Sequence, residues 1–262
     1  GNFTRDNIRF YVSYAHAVGV KVYVALNTLI KDSELEDFIA AAKTAYEAGA
    51  DALIVQDVFS GKILKGVLPD CELHLSTQAG VNNLAGVKIA EEYGFSRVIL
   101  ARETEEREIK SIAENIDTEI FVHGALCSSF SGHCYMSSFI GGNSGNRGLC
   151  KQPCRKKYAI ETKTGEGKYS FSLSDLNLAD RIGDIIKLGV KSVKIEGRMR
   201  TPEYVAAAVG VYRKAIDGLS FDLSEIKRTY NRGDYTEGYV FGLTAVFYRI
   251  RFRIIAENIS AL

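Results

Sequence analysis

The chain has 262 residues, 46% of them hydrophobic, enough to bury one large core without a second compact domain. Lys and Arg number 33 against 32 Asp and Glu, which excludes a polyanion-binding field over the whole surface and leaves any nucleic-acid contact to a local patch. No apolar run is long enough to span a bilayer and the first residues lack a secretion signal, so no membrane association and a cytoplasmic setting are expected.

In chain order, GNFTRDNIRFYVSYAHAVG reads as a loop and a helix, followed by a strand at Val22–Leu26. A helix over 32–49 follows, with Asp32 or Ser33 as N-cap, and then strands at Ala52–Val55 and 72–78. Helices at 81–94 and 104–115 flank a strand at Val98–Leu100, and EIFVHG (119–124) is the next strand. KYAIETKTGEGKYSFSLSD (157–175) reads as a β-hairpin leading into a strand over 169–175. A helix at 178–189, a strand at Val193–Ile195 and a helix with Pro202 in its first turn complete the series. AHAVGVKVYVAL, YEAGADALIVQD, EEYGFSRVILAR and IIKLGVKSVKIEG share one phrase, in which a helix stops at a glycine (Gly19, Gly49, Gly94, Gly189) and an apolar strand starts.

Seven strands alternating with helices predict an α/β chain, a (β/α) TIM-type barrel lacking its first strand, which would lie before Gly1. Counted that way, EIFVHG is the sixth strand and a Cys-rich loop follows it. The barrel domain is expected over 1–242, with 243–262 as a tail. A doubly wound sheet is the competing architecture, and no G-x-G-x-x-G supports its dinucleotide-binding form.

Barrel chemistry gathers where strands end. The strand-end residues are Asn27, Gln56, Asp57, Thr77, Gln78, Arg102, Glu103, His123, Asp175, Glu196 and Arg198. Any one of them reads equally well as a cap or turn residue. Together they describe a polar cavity for a small oxygenated or anionic ligand, with His123, Asp175, Glu196 and Arg198 as candidate catalytic groups. Glu196 and Arg198 could instead pair with each other, and His123 could serve as acid, base or hydrogen-bond donor. Asn27, Asp57, Gln78, Arg102, Arg147 and Arg155 are candidate substrate-binding residues.

Cys127, Cys134, Cys150 and Cys154 crowd into the window after EIFVHG. In a reducing compartment they read as metal or redox ligands, and their spacing leaves zinc and a [4Fe-4S] cluster both open. Cys71, away from the window, reads as a packed small side chain. FIGGNSGNRG permits tight turns but is no Walker loop. Arg147, Lys151, Arg155, Lys156 and Lys157 form a basic rim that could receive phosphate backbone or only neutralise thiolate charge.

EIFVHGALC (119–127) followed by GHCYMS (132–137), SGNRGLCKQPCR (144–155), KIEGRMRTPEYVAAAV (194–209) and NRGDYTEGY (231–239) resemble the collagenase-like peptidase family, with most similarity to its RNA-hydroxylating branch. The resemblance reaches to about Gly242; LTAVFYRIRFRIIAENISAL does not align with the further domain that follows the barrel in that branch. It implies a (β/α) barrel and, by analogy with bacterial members that hydroxylate a pyrimidine in transfer or ribosomal RNA, an iron-sulfur protein acting on RNA. It further implies a [4Fe-4S] cluster on the four clustered cysteines, a small carboxylate co-substrate such as prephenate, and an electron donor that it does not identify. Other members are described as proteases, so a peptidase is the alternative, although the chain has neither H-E-x-x-H nor G-x-S-x-G. A non-catalytic or truncated scaffold is the third expectation.

Overall fold

The computed structural model describes residues 3–158, 169–198, 200–230 and 234–242. Its strands are β1 (Tyr23–Leu26), β2 (Ala52–Val55), β3 (Leu73–Leu75), β4 (Arg97–Ile99), β5 (Asp117–Ala125), β6 (Asp175–Asn177), β7 (Ser192–Ile195) and β8 (Tyr235–Thr236). The helices are α1 (Ile8–Ala17), α2 (Leu35–Glu47), α3 (Val58–Val67), α4 (Leu84–Glu92), α5 (Glu106–Ala113), α6 (Met136–Gly141), α7 (Ile182–Lys187), α8 (Pro202–Ile216) and α9 (Ser224–Thr229). Most of the expected hairpin and the tail at 243–262 lie outside the described residues.

Six strands run parallel in the order β1-β2-β3-β4-β5-β7. β2 and β3 are buried along their whole length, because helices cover one face and core side chains the other. β1 and β7 are only partly buried and end this parallel run, while β6 and β8 continue the sheet from β5. The chain is therefore an α/β structure of TIM type whose ring is not closed by hydrogen bonds between β1 and β7. The four repeated helix stops adopt left-handed φ angles, between 74° and 94°.

Two sequence expectations are corrected in detail. The strand expected over 169–175 forms only at Asp175–Asn177 and runs antiparallel to β5, pairing Asp175 with Ala125 and Asn177 with His123. β7 takes the parallel place beside β5, with Glu119 opposite Ser192. Glu119, buried between these strands, accepts from Lys194 Nζ and Ser192 Oγ, both at 2.8 Å, so that contacts absent from the local pattern select the partner strand. Neither Asp32 nor Ser33 caps α2; residues Asp32–Glu34 form a 3-10 turn in front of it. The Glu34 carboxylate there accepts from the Lys31 amide at 2.8 Å and from Arg147.

The core follows helix periodicity. Phe38, Ala42 and Ala45 of α2 recur on one face, as do Tyr204, Ala207, Ala208, Val211 and Tyr212 of α8. Leu75 of β3 is fully buried. Leu75→Ala is expected to cost about 2–5 kcal/mol of unfolding free energy, read by urea denaturation. Among the described residues no helix is long and apolar enough to cross a membrane.

Candidate functional site

The loop after β5 folds back over the C-terminal ends of β3 and β4, and three contacts hold it there. Ser131 donates from its amide and its hydroxyl to the Glu103 carboxylate at 2.8 and 2.9 Å. The Ser131 hydroxyl in turn accepts from the Arg102 amide at 3.1 Å. Gly132, at φ +79°, lies so close to the Gln78 carbonyl that an added Cβ would stand 1.9 Å from its oxygen.

The four clustered cysteines are unpaired thiols. Burial pushes the Cys127 thiol up, the backbone at Ser129 and Arg102 act against that, and Cys134 and Cys154 add to it; the last two are thus close enough to feel its charge. Gly145 packs between the two later turns of the loop: an added Cβ would lie 3.7 Å from the Cys150 Cβ and 3.8 Å from the Cys134 carbonyl oxygen. Gln152, left-handed at φ 53°, turns its amide towards the Cys150 sulfur at 3.3 Å. One segment, 127–154, therefore carries all four cysteines, with Cys134 and Cys154 near the partly buried Cys127 and Cys150 exposed. Among the described residues, no group of three or more His, Cys, Asp or Glu is arranged to hold a single metal ion. The donor set is all-thiolate, which suits zinc as well as a [4Fe-4S] cluster. Cys71 is buried away from this loop, where burial raises its thiol pKa.

Arg102, Glu196 and Arg198 meet at the ends of β4 and β7. Arg102 Nη2 donates to Glu196 Oε2 at 3.2 Å, and its guanidinium lies 3.9 Å over the Phe121 ring. Glu196 also accepts from the Arg198 amide at 3.2 Å, while the Arg198 side chain donates to the Gly148 carbonyl at 3.1 Å, just before Cys150. The partner of Glu196 is therefore Arg102 together with the Arg198 backbone. Gly124 allows this approach, since an added Cβ would stand 2.7 Å from the Glu196 Cβ.

His123 belongs to a second group. Its ring is surrounded by Tyr204, Tyr212 and Tyr235 at centroid distances of 6.0, 5.5 and 5.8 Å. The Tyr212 hydroxyl has two acceptors in reach, the Val122 carbonyl at 2.6 Å and Asn177 Oδ1 at 3.2 Å, and accepts from the Leu178 amide at 2.9 Å. It also lies 3.4 Å from His123 Nδ1, a contact whose direction depends on whether Nδ1 or Nε2 carries the proton. That Nε2 is buried and has no hydrogen-bond partner among the described residues. Burial lowers the His123 pKa to about 4, with Asp175 opposing and Arg200 assisting, so the ring is neutral at physiological pH.

The linkage has a definite sign. An unfolded histidine takes up its proton near pH 6.5 and the folded His123 only near 4, so stability is complete above pH 6.5 and falls as the pH drops through that window. His123→Gln is expected to reduce the acid-induced loss by up to roughly 3 kcal/mol, read by urea titrations at pH 7, 5.5 and 4. Burial lowers the basicity of His74 as well, so the comparison with wild type isolates the share due to His123.

The remaining sequence candidates have identifiable contacts. Asn27 Nδ2 donates to Ser76 Oγ at 3.4 Å, and Asp57 caps α3 by accepting from the Phe59 amide at 2.9 Å. The Gln78 carbonyl accepts from Gln56 Nε2 at 3.4 Å. Arg147 forms a two-pronged pair with Glu34 at 2.6 and 2.7 Å and reaches the Leu29 carbonyl. Arg155 donates to Ser172 Oγ at 2.8 Å, to the Leu173 carbonyl at 2.6 Å and to the Leu126 carbonyl. Arg147 and Arg155 thus tie the cysteine loop to the barrel. Sequence reasoning did not single out Ser131, Arg200 or the three tyrosines. Tyr204 and Tyr212, eight positions apart on the buried face of α8, carried a periodic signal that also fits plain core packing.

The sequence profile of peptidase family U32 matches residues 1–246. A Bacillus subtilis tRNA hydroxylation protein is 38% identical over 236 residues, covering 84% of this chain and 55% of that protein. An Escherichia coli 23S rRNA 5-hydroxycytidine synthase is 37% identical over 223 residues, covering 83% and 34%. A Porphyromonas gingivalis collagenase is 31% identical over 270 residues, covering 92% and 64%. The chain spans roughly a third to two thirds of the length of these relatives.

Proposed function

The chain belongs to peptidase family U32, and on that premise we propose that it takes part in hydroxylating a pyrimidine base of transfer or ribosomal RNA, using a [4Fe-4S] cluster on Cys127, Cys134, Cys150 and Cys154. The observation that carries this reading is four free cysteines on one loop seated at the strand ends, with Cys134 and Cys154 near the partly buried Cys127. Relatives named for hydroxylation of tRNA and rRNA support the substrate class. A cluster held there supplies one-electron chemistry tuned by hydrogen bonds and nearby charge.

The chain's own residues set up the surroundings. Arg102, fixed by Glu196 and Phe121, brings positive charge to Cys127 and favours its thiolate. Arg102 and Arg198 are the guanidinium groups that a small carboxylate co-substrate such as prephenate would meet at the ends of β4 and β7. His123, buried and kept neutral with Asp175 close by, would act as a hydrogen-bonding and positioning group at the end of β5 rather than as a base. The electron donor would approach from the loop side, where Cys150 is exposed.

A peptidase reading is raised by the name of the Porphyromonas relative. Among the described residues, the histidine hydrogen bonds go to Asp51, Glu72 and Tyr212, and none joins a serine or cysteine nucleophile. The test is mass spectrometry of nucleosides from RNA of a host without its own hydroxylation proteins, with and without this chain. A pyrimidine nucleoside one oxygen heavier, present only when the chain is expressed, supports the proposal. Unchanged RNA together with gelatin cleavage by the purified chain would favour the peptidase.

A further inference from the structure

From Ile120 to Ile160 the sequence contains no Asp or Glu, although it carries Arg147, Lys151, Arg155, Lys156 and Lys157. In a chain of net charge +1 this concentrates positive charge around the cysteine loop. The two arginines are turned inward, to Glu34 and to backbone carbonyls. Lys151, Lys156 and Lys157 are exposed and form no ion pair among the described residues.

The same segment exposes large apolar side chains. Phe139 is 90% exposed and Phe130 70%, and Tyr135, Ile140 and Leu149 are also more than half exposed. The Lys151 amide donates to Ser137 Oγ of α6 at 3.0 Å and α6 packs on the turn at Pro153–Arg155, so the α6 aromatics and these lysines share one stretch of surface, as a contact surface would. A protein partner would account for the aromatics alone. Aromatic faces set among lysines with no carboxylate partner, Lys157 lying 5.4 Å from the Tyr169 ring centre, in a segment without acids, match bases that stack and phosphates that need neutralising. A duplex keeps its bases stacked internally, so only an unpaired strand can offer them to these rings.

We propose that the loop face bearing Phe130, Tyr135 and Phe139 with Lys151, Lys156 and Lys157 is a stacking platform for single-stranded RNA. This deepens the function proposed above and rests on it: the substrate base lies in an unpaired loop or tail whose neighbouring bases stack beside the cysteine site.

The test is fluorescence anisotropy on the full chain, using a labelled single-stranded RNA of about 12 nucleotides and the same sequence as a duplex. The single strand binds more tightly. Phe139→Ala and Phe130→Ala each weaken it by about tenfold, and Lys156→Gln with Lys157→Gln lowers the slope of log affinity against log salt by about 0.7 per lysine. Phe10→Ala, an exposed aromatic of α1 outside this face, binds as wild type does. Preference for duplex, or wild-type affinity in both phenylalanine variants, overturns the platform. If those variants keep RNA affinity but lose hydroxylation, the face belongs to a protein partner and the platform is likewise overturned. Platform behaviour without any hydroxylated base would sink the proposed reaction and leave the platform standing.

Discussion

Cys127→Ser, in protein purified without oxygen, is expected to lose its iron, its acid-labile sulfide and its visible absorption, and with them any hydroxylated pyrimidine in cellular RNA. The Cys127 thiol sits in a buried setting that disfavours thiolate, and the nearby Cys134 and Cys154 push in the same direction. Arg102 offsets only part of this, so a bound cationic centre is what would stabilise several thiolates together. A serine hydroxyl is a far harder base and gives up its proton far less readily, and cannot replace the sulfur. Cys71→Ser provides the contrast: it touches a buried packed thiol, costs about 1–3 kcal/mol of stability, and leaves the iron in place. Iron retained by Cys127→Ser at the wild-type ratio would remove Cys127 from the ligand set.

Gly132→Ala is expected to have nearly as large an effect without touching a ligand. The methyl group would lie 1.9 Å from the Gln78 carbonyl oxygen and 2.8 Å from its carbon, and no flexible side chain is there to move aside. The φ of +79° adds the usual left-handed penalty for a residue with a Cβ. The loop must leave the end of β3, which costs at least about 2 kcal/mol and separates Cys127 from Cys134 in their present setting. The iron-to-protein ratio and a urea titration read both effects. Gly142→Ala is the control, because its φ of +69° carries the same backbone penalty while nothing lies within 4 Å of the added Cβ. It should lose about 1 kcal/mol and keep its iron. Equal behaviour of the two variants would mean that the seating of the loop on Gln78 does not matter to the site.

The parts of the fold that sequence made legible are those set by local pattern. β2 and β3 are short apolar runs buried on both faces, and the repeated glycines mark helix ends because only they take the left-handed φ cheaply. The segment at 169–175 misled because strand direction is not a local property. Asp175–Asn177 runs against β5, and β7 takes the parallel place through Glu119, Ser192 and Lys194, residues brought together from distant positions. The cysteine cluster was visible because its residue type is rare elsewhere in the chain. The roles within the basic rim were not. Arg147 is committed to Glu34 across 113 positions, and Arg155 to carbonyls made available by the path of the loop, so charge counted along the sequence overstated what faces a ligand. His123 was legible as a strand-end residue, but its neutral state comes from burial beneath tyrosines of α8 and β8 and could not be read from its own neighbours.

The central claim, that these four cysteines hold an iron-sulfur cluster, is tested most directly by quantifying metal and acid-labile sulfide in the wild-type chain purified without oxygen. The expected result is about four irons and four sulfides per chain. One zinc ion per chain without sulfide, or a folded chain that takes up no iron on anaerobic reconstitution, would contradict it.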